Sequence, residues 1–453
     1  MKMRQLTRYM ICFLMTGSFA GTVFSQKITL ERCKEQALKN NVAIRNGALS
    51  VQAAEQTKKE AFTKYFPSVS ASTNTFSSSK ALMEMTIKGG NLPVYDGNPA
   101  NLATATQFAY FPDANIAMLK NGSVAMVSAT QPLFAGGRIV NGNKLANIGV
   151  EAQKLSTALS VNEVTLQTEQ YFWQIVSLEE KLKTINQVEL LLQNLQKDVD
   201  LAYKAGVSPM NDVLNVKLKR NELSGSRLKV ENGIRICKMA LCQYAGMPYD
   251  STLEIDYAES DFRLISSPET YAVNPQEAVA HRTESRLLQK SVEASRLQVR
   301  IKQGELLPEA GVGVSYATEN MLGYERHYGI AFASLKVPVS DWWGGSHAIK
   351  KRKLDEQIAI NNQTNANEQM LLQIQQTWQD MKEGYKQIGI AQVAVDQATE
   401  NHRLNADSYK AGTVSLSDLL SAQASLQQSK DRYVDACTDY MCKKLKYLQA
   451  TGR

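Results

Sequence analysis

The strongest constraint in this 453-residue sequence is that one unit is written twice. Tyr203 to Asp212 reads YKAGVSPMND, and Tyr409 to Asp418 reads YKAGTVSLSD. Tyr, Lys, Ala, Gly and Asp recur at an offset of 206, as do Leu214 with Leu420 and Pro132 with Pro338. The pairs Gly136–Gly137 and Gly344–Gly345 follow those prolines, slipped by two residues. Further upstream, Pro67 and Pro308 each close a polar helix-like segment and open a small-residue stretch; the first copy carries 35 extra residues between its two prolines. A period near 200 is too long for a solenoid and indicates duplication of a domain-sized unit.

Both copies run in the same order. A helical segment (Leu30 to Tyr65; Pro275 to Leu306) precedes two strand-like runs, a very long helical stretch, the YKAG turn and a returning helix. No proline lies between Pro132 and Pro209, or after Pro338. Gly142 to Ala202 would span about 90 Å as a helix, and Ser346 to Ser408 is similar. Leu371, Ile374, Trp378, Met381, Tyr385 and Ile388 alternate spacings of three and four, as do Leu192, Leu195 and Val199. That seam predicts coiled-coil packing. The glycine pairs are expected to be bends where a strand turns into a helix. Gly206 and Gly412 are expected to take positive φ between antiparallel helices.

In the second copy, large Tyr328, Ile330 and Phe332 alternate with Gly329, Ala331 and Ala333. Val312, Val314 and Tyr316 alternate with Gly313, Ser315 and Ala317. Such alternation fits a barrel wall between lipid and a lumen, and equally a half-buried soluble hairpin. In the barrel reading Tyr328, Ile330 and Phe332 face lipid, and Gly329, Ala331 and Ala333 face the lumen. The first-copy runs, Ser68 to Ser77 and Ser123 to Leu133, are more polar. The loop of about 40 residues between them is too long for a packed turn and is expected outside the cell.

Composition narrows the function. Lys2, Arg4 and Arg8, the apolar run from Met10, and small residues at Val23 and Ser25 predict a secretory signal over residues 1–25. Cys12 lies in its apolar run without a lipidation pattern. The formal charge of +7 falls to +4 without that segment, too even for a nucleic-acid binder. The five remaining cysteines, Cys33, Cys237, Cys242, Cys437 and Cys442, are odd in number, and the five-residue spacings within helices do not pair two thiols. They read as small core residues. His281, His327, His347 and His402 show no metal-ligand spacing, and neither a phosphate loop nor a nucleophile elbow is present. An enzyme is therefore not expected, and neither is a cofactor or metal.

The duplicated helix–hairpin–helix unit, the exit Gln131-Pro132-Leu133-Phe134 before Gly136-Gly137, and the paired tyrosine–glycine turns resemble the TolC family of outer-membrane efflux proteins. The resemblance covers nearly the whole mature chain. It implies a membrane α/β-barrel fold in two repeats, 26–265 and 266–453. Long antiparallel coiled-coil helices form a periplasmic α-barrel. Strand pairs at 67–78 with 123–133 and 309–317 with 328–338 give four strands to a 12-stranded outer-membrane β-barrel shared by a homotrimer. Its implied function is a passive, gated export duct. Its partners are a periplasmic adaptor (membrane fusion) protein, an inner-membrane pump of the RND, ABC or MFS type, and outer-membrane lipid. The turns near 203–212 and 409–418 would then be the closed tip, with Tyr203, Gly206, Tyr409 and Gly412 at the adaptor-docking surface. Asp212 and Asp418 would ring the pore gate, or else serve as acids at helix N-termini. The arginine that the family implies after the second turn is Val414 here, with Ser208 its first-copy counterpart, and Ser421 replaces a nearby acid. The alternative is a periplasmic coiled-coil structural or adaptor protein without a pore, which needs no lipid-facing strands.

Overall fold

The computed structural model describes residues 27–250, 253–258, 265–321 and 324–453; the secretory signal expected over 1–25 lies outside the described residues. The chain divides into two compact units. One holds residues 27–52, 152–289 and 362–453, and the other holds 53–151 and 290–361.

Eight helices are named among the described residues: α1 (Leu30–Asn40), α2 (Val42–Thr63), α3 (Arg138–Lys204), α4 (Met210–Ala245), α5 (Pro275–His281), α6 (Thr283–Gly304), α7 (Asp341–Lys410) and α8 (Leu416–Ala450). The two long ones, α3 and α7, have 67 and 70 residues. Each copy folds back as an antiparallel pair. Arg227 of α4 bonds Glu189 of α3, and Arg220 bonds Gln196, so both contacts straddle the turn at 206–208 symmetrically. Across α7 and α8, Trp378 stacks on Tyr447 and Tyr385 on Tyr440.

The predicted seams pack in the first unit, except that Tyr385 is exposed. Ile374 and Met381 lie in a core with Tyr440 and Tyr447, flanked by Leu371, Trp378 and Ile388. Leu192 and Val199 lie with Val213, Val216, Leu416 and Leu420. A third cluster contains Cys33, Cys237, Cys242 and Cys437, with Cys442 against it. All five thiols are free. Burial holds Cys33 up at about 12, and Cys437 and Cys442 at about 11. They are therefore protonated packing groups. A short strand β1 (Lys27–Ile28) pairs in parallel with β8 (Glu254–Ile255), which ties the start of the described chain to the segment after α4.

The second unit contains an antiparallel sheet of four strands, in the order β10 (Tyr324–Lys336), β9 (Glu309–Met321), β7 (Asn121–Ala135) and β2 (Ser68–Ser77). The β9 and β10 strands extend beyond the expected 309–317 and start before the expected 328. The register sets how the side chains of the two strands face relative to one another. Directly opposed residues of an antiparallel ladder share a face. Tyr328 opposes Ala317, Ile330 opposes Ser315, and Phe332 opposes Gly313. The large residues of β9 and β10 therefore point to opposite faces, each over the small residues of its neighbour.

Carried across the ladders, one face holds Ser70, Ser72, Ser128, Thr130, Ser315, Glu319, Tyr328, Ile330 and Phe332. The other holds Val69, Ala71, Val127, Ala129, Val312, Val314, Tyr316, Ala331, Ala333 and Leu335. The first face is polar with a few large apolar residues, and the second is apolar apart from Gln131, which opposes Val312. The β7–β9 register slips between Pro132 and Phe134, where proline has no N–H to give the ladder.

Two other expectations change. Gly136 and Gly137 do take positive φ, +60° and +74°, and Gly136 packs backbone to backbone on Gly304. Gly344 and Gly345 instead lie inside α7. The second strand turns into its helix at Pro338 to Asp341, where Asp341 N–H bonds the Pro338 carbonyl. Gly345 is small because Leu306 occupies the place its Cβ would take. The stretch between β2 and β7 is also not irregular. It contains a ribbon of β3 (Met83–Ile87) with β6 (Ala114–Met118), a second ribbon of β4 (Gly90–Pro93) with β5 (Phe108–Phe111), and a 3-10 turn at Pro99–Thr104.

Candidate functional site: a two-faced sheet and two helical turns

Two places in the chain have the geometry of function. The first is the sheet. Its apolar face runs without a charge from Ala310 and Leu335 to Tyr316 and Gly329. At the end away from the helices it stops at Thr318, Asn320, Glu325 and His327, with Ser77, Asn121 and Ser123 level with them. At the helix end stand Phe62, in edge-on contact with Tyr65 and with Phe66, and Trp342 and Trp343. The Trp342 indole donates to the Leu306 carbonyl at 2.9 Å, while Trp343 is 81% exposed.

On the polar face, Glu319 accepts from the Tyr328 hydroxyl at 3.2 Å and stands 4.0 Å from Arg326. The helix end of this face opens on a cavity of about 1160 Å³. It is lined by Ser68, Thr130, Gly311 and Ser334 and by the charges of Glu60, Lys64, Arg138 and Lys336. Arg138 is paired with Glu309. The polar cluster around Glu319 and this charged floor escaped the sequence reading, which followed large–small alternation and ignored cross-strand register.

The second place is the pair of turns. Both end their helices in the same motif. Gly206 N–H bonds the Tyr203 carbonyl and Val207 N–H that of Ala202; Gly412 N–H bonds Tyr409 and Thr413 N–H that of Ser408. These 5→2 and 6→1 pairs are a Schellman closure, whose glycine takes the left-handed conformation. Both glycines have φ +72°. Lys204 and Lys410 sit in the last turns, where the helix dipole favours a cation.

Beyond the glycines the two turns differ. Ser415 caps α8 in a reciprocal box: its hydroxyl accepts from Asp418 N–H, and the Asp418 carboxylate accepts from Ser415 N–H. Ser415 hydroxyl also donates to that carboxylate at 2.7 Å, and these bonds hold it below the usual carboxylate range. In the first turn Pro209 stands at the cap position with no side-chain bond, and Ser208 donates to Asp212 at 2.8 Å. Asp418 is exposed and Asp212 half-buried. Tyr203 is exposed, whereas Tyr409 packs on the cluster of Val199, Val213, Val216, Leu416 and Leu420. Burial, Asp212 and Asp198 raise the Tyr409 hydroxyl. The two carboxylates thus differ: Asp418 is committed to its own helix start, and Asp212 accepts from Ser208. Val207 at the first turn is 82% exposed, with Met210 and Leu214 exposed after it.

Among the described residues no group of three His, Cys, Asp or Glu side chains is placed to hold a metal. No described helix is long and apolar enough to cross a membrane, which says nothing about strands.

Residues 274–452 match the model of the family described as outer membrane efflux protein. No curated protein matches the sequence. Solved structures do match the fold. The outer membrane protein VceC from Vibrio cholerae is 14% identical with a TM-score of 0.72, covering 93% of this chain and 96% of that one. The CmeC outer membrane channel of Campylobacter jejuni is 14% identical with a TM-score of 0.71, over 93% and 85%. The MtrE outer membrane channel of Neisseria gonorrhoeae, described in its open state, is 13% identical with a TM-score of 0.72, over 93% and 88%. At these identities the likeness is one of fold.

Proposed function

We propose that this chain is a TolC-family outer membrane efflux protein, a reading that the match over residues 274–452 and the fold support, and that it is the outer-membrane duct of an export system. One observation carries the reading: a four-stranded sheet with an apolar and a polar face, open at both edges. In the order β10-β9-β7-β2, the outer sides of β10 and β2 have no ladder partner among the described residues. In lipid such edges are not tolerated, and four strands cannot close a barrel by themselves. Pairing β2 of one copy with β10 of the next closes the sheet. Three copies give the 12 strands that the family resemblance implies.

In this reading the face with Val314, Tyr316 and Leu335 meets lipid, and the face with Ser128, Ser315 and Glu319 lines the passage. Polar residues at Thr318, Asn320 and His327 mark the outer boundary of the apolar band. Phe62, Tyr65, Trp342 and Trp343 mark the inner one, where aromatic rings favour the headgroup level. The charged cavity floored by Lys64 and Lys336 is then the way from the membrane passage into the helical part.

The duct is passive and works beside an energised inner-membrane pump, with a periplasmic adaptor docking on the turns at 203–212 and 409–418. The exposed Tyr203 and Val207 offer it an apolar foothold. The turns also form the gate. Its carboxylates are unequal, because Asp418 is held by its capping box while Asp212 accepts from Ser208. Ser208 takes Asp212 as its partner at the first-copy counterpart of the position where the family implies an arginine.

Cell fractionation tests the reading. The mature chain is expected in the outer membrane as an oligomer that survives cold detergent and dissociates on heating. A soluble periplasmic monomer would overturn it and favour a coiled-coil adaptor.

A further inference from the structure

Next to the sheet, the helical parts of the second unit are basic. Residues 53–66, 138–151, 290–307 and 341–361 hold 13 Lys and Arg against 8 Asp and Glu. That excess is larger than the +4 of the whole chain beyond residue 25. Part of it lines a groove of about 620 Å³ between α3 and α6. Gly136 packs on Gly304 and Glu151 pairs with Lys290, so the two helices run antiparallel, with Val140 level with Arg300 and Lys144 level with Arg296.

The groove changes character along its length. Tyr65 and Val140, both exposed, stand at the end towards the sheet. Lys144, Arg296 and Arg300 come next, beside the buried Leu297. Lys290, held between Glu151 and Glu293 at 2.9 and 3.0 Å, closes the far end. Arg296 is committed to Glu356 at 3.1 Å. Lys144 and Arg300 are exposed and have no ion-pair or hydrogen-bond partner among the described residues.

The groove opens on the side of the sheet's apolar face. Arg138 and Gly142 of α3 line the cavity at the polar face. Val140 and Lys144 follow them by two residues each, about 200° around the helix, and so point the other way. The helices α3 and α6 continue β7 and β9, the two inner strands of the sheet. A neighbouring copy paired at β10 or β2 therefore leaves the groove uncovered. Arg300 lies one turn, about 6 Å, before the end of α6 at Gly304. The polar layer on each side of a bilayer is about 5–7 Å deep. With Tyr65 and Trp342 at the edge of the apolar band, Arg300 and Lys144 stand at the depth of lipid phosphates. An occupant must offer them an anion and offer Tyr65 and Val140 an apolar part, which a soluble inorganic anion lacks.

We propose that this groove binds the acidic headgroup of a phospholipid from the periplasmic leaflet of the outer membrane. Arg300 and Lys144 hold its phosphate, and its acyl chains rise past Val140 and Tyr65. The proposal rests on the duct reading in taking the apolar face of the sheet to meet lipid.

Native mass spectrometry of the oligomer released from mixed vesicles of phosphatidylethanolamine and phosphatidylglycerol tests this. Phosphatidylglycerol is expected to be retained, one per chain, in preference to phosphatidylethanolamine. Arg300→Gln with Lys144→Gln is expected to weaken that retention roughly tenfold or more, because each basic group at the headgroup level contributes to anionic-lipid binding. Arg300→Lys with Lys144→Arg keeps both charges and should keep the lipid. Lys217→Gln with Lys229→Gln, which removes the same charge from α4, should keep it too. Equal loss in the α4 variant would reduce the effect to net charge and overturn the groove. Equal retention of the two lipids, or full retention by Arg300→Gln with Lys144→Gln, in oligomers that insert normally would overturn it and leave the duct reading standing. Displacement of the lipid by millimolar inorganic phosphate would assign the groove to a soluble anion and overturn it as well. Failure of the wild-type chain to enter the vesicles at all would overturn both.

Discussion

Phe332 stands directly across the ladder from Gly313, and its ring occupies the space where a Cβ on Gly313 would lie. This pairing fixes the phase of β9 against β10, and with it which residues share a face. A one-residue slip would exchange every side chain between the faces.

The phase gives opposite expectations for two adjacent positions in the band. Val314→Arg places a charge on the apolar face and is expected to cost about 2–4 kcal/mol near the bilayer midplane. Ile330→Arg places it on the face of Ser315 and Glu319 and is expected to spare stability while changing conductance. Chemical unfolding of the oligomer from lipid vesicles checks both; equal losses would show that the faces are not distinct.

Gly412→Val is expected to weaken the second turn by about 1–2 kcal/mol, the cost of a left-handed L-residue. The cause is conformational, since nothing lies within 4 Å of the added Cβ. Gly412→Asn should recover most of the loss, because asparagine tolerates this conformation. Export assays with membrane-inserted oligomers of each variant report it, and Gly206 should behave alike.

The buried thiols predict chemical silence. With Cys33 raised from 9.0 to about 12, its thiolate is about a thousandfold scarcer at pH 8 than in an ordinary cysteine. A maleimide reagent is expected to leave the native protein unlabelled and to label it promptly in denaturant. Rapid labelling of the native form would show that the core around Cys33 and Cys242 is open.

His402 gives a pH dependence. Burial, and secondarily Lys430, lower its folded-state value below the unfolded 6.5. The folded state therefore binds fewer protons, and stability falls as pH drops through the unfolded value. Thermal midpoints are expected to decline from pH 7.5 to 5.5, and His402→Gln is expected to reduce that decline. An identical slope in the variant would assign the effect elsewhere.

Much of this architecture was legible in the sequence because it rests on local rules. The YKAG repeats gave away both turns, since a helix closed by a Schellman motif needs glycine where Gly206 and Gly412 stand. The absence of proline permitted α3 and α7, and the spacing of Ile374, Trp378 and Met381 marked a buried seam. What depends on register was not legible. Alternation in β10 shows that Ile330 and Ala331 differ in facing, but only the pairing with Ser315 and Val314 tells which is which. The two turns look equivalent as strings, yet Pro209 replaces the cap that Ser415 supplies. The Met83-Glu84-Met85-Thr86-Ile87 alternation signalled a strand; composition rich in glycine and asparagine masked it.

If the sheet encloses a passage between copies, Ser315 lies inside it and Val314 outside. Single cysteines at these positions, in a protein whose native thiols are buried or, at Cys442, half-buried, can be probed with a charged methanethiosulfonate in planar bilayers. The account predicts stepwise conductance that falls when the reagent reaches Ser315→Cys and is unchanged with Val314→Cys. No conductance from the wild-type oligomer, or reduction at Val314→Cys alone, would contradict it.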